Sequence, residues 1–152
     1  MLTPMNPDEL FQLANPLALL GWIALALSRW PPRLSAVTAG LVIPLVLAVG
    51  YSALMLAHWA SGEGGINSLQ AVSELMSNRW LLLAGWIHYL AFDLLVGAWE
   101  VRVGRREGIP HLLVLPCLAL TFLFGPAGFL LFQALRAARR PLPPALPAGG
   151  AA

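Results

Sequence analysis

The ionisable groups of this chain lie among neighbours that should repel charge. Asp93, Glu100 and His88 fall inside the apolar run 79–101, and His58 and His111 stand at the ends of the flanking apolar runs. Asp93 lies about 4.5 Å beyond the middle of its run at the helical rise per residue. A charge near a bilayer centre costs roughly 2.5 to 3.5 kcal/mol, so such a group usually turns into the protein and has a task there. Asp93 must find a donor on another helix, meet water, or hold a proton. The plainer alternative is a tie between helices worth about 0.6 kcal/mol.

Trp86, Tyr89, Asp93, Gly97 and Glu100 follow the three-four spacing of one helix face. His88 stands about 140° round from Asp93 and can flank the same groove from the other side. Glu100, near the run's end, is open to a surface or Arg-paired role as well as a functional one. Gln12, Asn15 and Trp22 share a face of the first apolar run. Pro44, Tyr51 and His58 recur at seven-residue spacing in the second, and His111, Thr121, Gly125 and Gly128 mark the last. Each stripe alone fits packing. Together, around one Asp and several His, they outline a pocket whose glycines admit a close helix or a flat apolar ligand.

Other chemistries lack their signatures. There is no zinc-spaced Cys/His cluster, no phosphate-cradling glycine loop and no nucleophile elbow. No His-x-x-x-His or Glu-x-x-His pair supports a non-haem metal, so neither a metal nor another cofactor is expected. Cys117, the single cysteine, reads as a small packing residue. The basic residues are nine Arg and no Lys, set at the edges of apolar runs. They form no separate stripe, which argues against nucleic acid, and none is placed to hold a phosphorylated substrate inside the runs.

The elements that must position these groups are transmembrane helices. With 59% hydrophobic and 11% charged residues and a mean hydropathy of +0.74, 152 residues could not hide their apolar surface from water. The expected fold is an all-α transmembrane bundle of four helices in one domain, 1–140, with spans at about 10–28, 35–59, 79–101 and 111–132. Asn6-Pro7-Asp8-Glu9 should cap the first helix, an acidic start unlike a signal peptide. Trp30-Pro31-Pro32 should stop that helix, Pro44 should kink the second, and Gly125-Pro126-Ala127-Gly128 should bend the last. Between spans two and three, Ile66, Leu69, Val72 and Met76 predict a short amphipathic helix along the interface. Trp30, Trp59, Trp80 and Trp99 suit interfacial anchors. The segment 141–152 holds only Pro, Ala, Gly and Leu and is expected to be disordered. Four spans put both termini on one side, with a lean in the arginine count towards the side away from the cytoplasm.

The stretch Gly85-Trp86-Ile87-His88-Tyr89-Leu90-Ala91-Phe92-Asp93-Leu94-Leu95-Val96-Gly97 adds a further clue. With Ile109-Pro110-His111, Pro116-Cys117-Leu118 and Leu123-Phe124-Gly125-Pro126-Ala127-Gly128-Phe129, it resembles the abscisic-acid-deficient-four-like family. That family is linked to neoxanthin synthesis in plant plastids and has many bacterial relatives; the Lys-free composition looks bacterial and suggests an inner-membrane protein. The resemblance implies handling of a carotenoid or similar polyene, in the plant case turning an epoxide into an allenic alcohol. Such a cofactor-independent isomerisation needs an acid and a base. Asp93 would be the acid and His88 or His111 the base. Trp86, Tyr89, Phe92 and Phe124 would line the slot, with Gly97, Gly125, Tyr51 and Asn15 around it. Expected partners are membrane lipid, the polyene, and a second copy or a pigment-pathway complex. A non-catalytic pigment-binding or complex-stabilising subunit, and a proton or small-solute carrier, stay open beside the enzyme.

Overall fold

The computed structural model describes residues 5–28 and 37–139. The expected Trp30-Pro31-Pro32 stop, the start of the second span and the tail 141–152 lie outside them. Among the described residues the fold is all-helical, with six α-helices and no strand. Helix α1 (Pro7–Ala26) starts where the cap was expected: the Asn6 side chain accepts from the Glu9 N–H, and the Glu9 carboxylate accepts from the Asn6 N–H, both at 2.9 Å. Helix α2 (Ile43–His58) follows a π-helical turn, Thr38–Val42. That wide turn runs directly into Pro44, so the helix is continuous and the π turn lies where the proline, lacking an N–H, interrupts the regular ladder.

A 3₁₀ turn, Trp59–Ser61, closes α2. Ser68 then caps α3 (Leu69–Ser77), accepting from Ala71, and Asn78 caps α4 (Arg79–Arg106), accepting from Trp80 and Leu81. Helix α3 is amphipathic and buries only Leu75. Helix α4 is the axis of the fold: twelve of its residues are buried, against α1, α2 and the segment that follows it. Leu94 fills the space beside Gly21 of α1, and Trp22 packs on Gly97.

The run expected as the fourth span, 111–132, divides. Helix α5 (His111–Phe124) ends at Gly125, whose φ of +42° favours glycine, and α6 (Pro126–Arg139) starts at once. The chain reverses there. Val114 and Phe132, eighteen positions apart, both pack on Gly104 of α4, and Gly128 lies directly against Thr121. Arg136, near the end of α6, pairs with Glu107 before the start of α5. So α5 and α6 form an antiparallel hairpin with arms of 14 residues each, about 21 Å at the helical rise. A straight span would need close to 30 Å. Three segments are long and apolar enough to cross a membrane: Pro7–Ala26, Thr38–Ser61 and Arg79–Arg106.

Candidate functional site

The hairpin apex meets α4 at its middle. Asp93 is half-buried there, and its carboxyl lies so close to Gly125 that a methyl group on that glycine would stand 2.8 Å from Oδ1. Oδ2 is buried without a hydrogen-bond partner. One helical turn earlier, the Tyr89 hydroxyl neighbours the same carboxyl. That hydroxyl also lies 3.3 and 3.4 Å from the Leu123 and Phe122 carbonyls at the end of α5. The aspartate is therefore held between a phenol and a glycine turn, with one lone-pair face unused.

Tyr89 also lines a groove of about 500 Å³ between α1, α4 and the apex. Its walls are Asn15, Pro16, Ala18 and Leu19 from α1, Trp86 and Leu90 from α4, and Phe122 and Leu123 from α5. The Trp86 indole N–H donates to Asn15 Oδ1 at 2.9 Å, while Asn15 donates to the Phe11 carbonyl at 2.8 Å. Trp22 meets Phe122 edge-on, with ring centroids 5.5 Å apart. Trp86 is 39% exposed in this opening. The groove is mostly apolar; Asn15 and Tyr89 are the polar side chains in its wall, and Asp93 lies one helical turn beyond Tyr89.

The profile of the ABA DEFICIENT 4-like family matches residues 9–132. The chain belongs to that family. Comparisons with curated proteins and with solved structures give no match. In this ABA DEFICIENT 4-like protein the matched span takes in every residue lining the groove, as well as Asp93 and Gly125.

The residues singled out in the sequence divide into four places. Asp93, Trp86, Tyr89, Asn15 and Gly125 come together at the groove and the apex. His88, Phe92 and Tyr51 form a separate stack on the side of α4 towards α2: His88 lies on Phe92 at 4.4 Å and near Tyr51 at 5.4 Å. His88 and Phe92 are exposed, so this stack faces the surroundings. His111 stands at the far end of α5, where Nε2 is 2.9 Å from the Ala26 carbonyl at the end of α1. About 21 Å of helix separates it from the apex, so it is not brought to Asp93. Phe124 is 62% exposed beside the apex, and Gly97 serves as the seat for Trp22.

Two features escaped the sequence. Phe122 and Leu123 wall the groove, because the reversal at Gly125 turns them back on α4. Glu100 is wholly buried, with neither a surface position nor an arginine: Oε1 accepts from Thr121 Oγ1 at 3.0 Å and Oε2 has no partner. The spacing of Gly125 and Gly128 was the available signal, since two glycines beside a proline mark a turn as readily as a packing face. Among the described residues no three His, Cys, Asp or Glu side chains gather as metal ligands.

Proposed function

We propose that this chain is an integral membrane protein that binds a carotenoid or similar polyene in the groove between α1, α4 and the hairpin apex. In this reading the oxygen-bearing end of the ligand meets Tyr89 and Asp93. One observation carries it: a mostly apolar groove walled by Trp86, Tyr89 and Phe122 includes a tyrosine hydroxyl that neighbours the Asp93 carboxyl, whose Oδ2 is buried without a partner. A polyene moving from lipid into such a groove gains little from the hydrophobic effect, because lipid tails are as apolar as the walls. Ring packing and the polar end must then supply the selectivity. An oxygenated polyene should therefore be preferred over a plain hydrocarbon one.

Membership of the family supports a reaction at the same place. The protonated Asp93 carboxyl, aligned by Tyr89, gives its proton to an epoxide oxygen as the carbon–oxygen bond opens. The resulting carboxylate takes the vinylic proton as the allene forms. One carboxyl thus serves as acid and then as base, the atoms balance, and no redox partner is needed.

Coexpression with a pathway that makes an epoxy-carotenoid tests this directly. Wild type should yield an allenic product, while Asp93→Asn should keep bound pigment but leave it unconverted. Tyr89→Phe should lower both binding and conversion. Unchanged pigments together with colourless wild-type protein would remove the proposal. Pigment binding without turnover is a second reading, favoured by the distance of His111 and the separate flank of His88. Pigment that co-purifies unchanged with wild type would select it.

A further inference from the structure

The reversal at Gly125 redistributes charge. It carries Arg136 and Arg139 back to the end of the bundle that already holds Arg102, Arg105 and Arg106. Contacts fix that end: Arg105 donates to the Ser28 carbonyl, His111 meets the Ala26 carbonyl, and Arg136 pairs with Glu107. Among the described residues, five arginines and one glutamate therefore share it. The other end holds Asp8 and Glu9 at the start of α1, Glu63 and Glu74 between α2 and α4, and Arg79 paired with Asp8.

Each hairpin arm is too short to cross the hydrocarbon, as its 14 residues rise only about 21 Å. Backbone can turn at membrane depth only where protein covers it. The apex meets this condition: Gly125 is buried, and its N–H donates to the Thr121 carbonyl at 2.8 Å. Arginine-rich ends stay on the cytoplasmic side. Guanidinium forks match phosphate oxygens in pairs, and Arg102, Arg106 and Arg139 are exposed at that end.

We propose that the α5–α6 hairpin enters and leaves through one leaflet, and that its two feet and the end of α4 form a docking face for anionic phospholipid headgroups on the cytoplasmic side. Three segments then cross the bilayer, and the N-terminal end of α1 lies on the opposite side from Arg139. This replaces the four-span arrangement that put both termini on the same side. Helix α3, amphipathic and mostly exposed, lies along the opposite surface.

Single cysteines at Glu63→Cys, Arg106→Cys and Ala138→Cys test the topology, with buried Cys117 left in place. In spheroplasts of a bacterial host, a membrane-impermeant maleimide should label position 63 and spare 106 and 138 until the cells are opened. Labelling of 138 together with 63 would overturn the hairpin. Labelling of 106 and 138 with 63 protected would overturn the orientation. For the docking face, brominated phosphatidylglycerol in phosphatidylcholine vesicles should quench tryptophan with a clear preference for the anionic lipid. Arg102→Gln/Arg106→Gln/Arg139→Gln should weaken that preference about tenfold or more. An unchanged preference in the triple variant would overturn it.

Discussion

Asp93 and Glu100 occupy the same face of α4 seven positions apart, yet their surroundings differ. Asp93 lies behind a groove with a phenol in front of it, whereas Glu100 is sealed against Thr121. Thr121→Val removes that hydroxyl with little change of shape. It should lower stability by about 0.6 kcal/mol, the usual worth of a hydrogen bond between membrane helices, with bound pigment unchanged; thermal unfolding in detergent would measure it. Gly125→Ala is expected to cost more, about 1–3 kcal/mol for an L residue at a positive φ. Its methyl group would also press on Asp93, so conversion should fall further than stability does. That Asp93 turns inward was legible in the sequence, because a carboxyl in an apolar run is too costly to face lipid. The burial of Glu100 was not, since closeness to a run's end predicts exposure only when no hairpin covers it. Choosing a base was also beyond sequence spacing, because the contact of His88 with Tyr51 and that of His111 with α1 depend on how separate helices meet.

The capped starts of α1, α3 and α4 follow from Asn6, Ser68 and Asn78, each the polar residue before a helical run. The first and third spans and the amphipathic α3 were readable from hydropathy and spacing for the same reason. Hydropathy misreads the last apolar run because it counts apolar residues and ignores backbone direction. From 111 to 132 the chain is apolar enough for a span, but Gly125-Pro126 breaks the ladder of hydrogen bonds, and Gly128 lets the returning arm lie on Thr121. Gly128→Val should therefore force the arms apart. The expected loss is about 1–3 kcal/mol, as for overpacked cores, with Phe122 and Leu123 drawn from the groove and pigment affinity reduced. Unfolding and pigment titration on the same sample would check both effects. Affinity retained at wild-type level would mean that the apex does not shape the groove.

Taken as one assembly, the fold places a polar end halfway along a helix long enough to cross a bilayer. It surrounds that end with aromatic and aliphatic side chains from three elements. Nothing in the proposed chemistry calls for a bound metal or a redox group, so the purified chain and its ligand should suffice. The most direct measurement is the absorbance spectrum of wild-type protein purified from cells making an epoxy-carotenoid, beside the pigment extracted from it and from Asp93→Asn. Polyene bands near one pigment per chain are expected in both proteins, with an allenic product only in the wild type. A wild-type protein with no polyene bands would contradict the binding groove at its root.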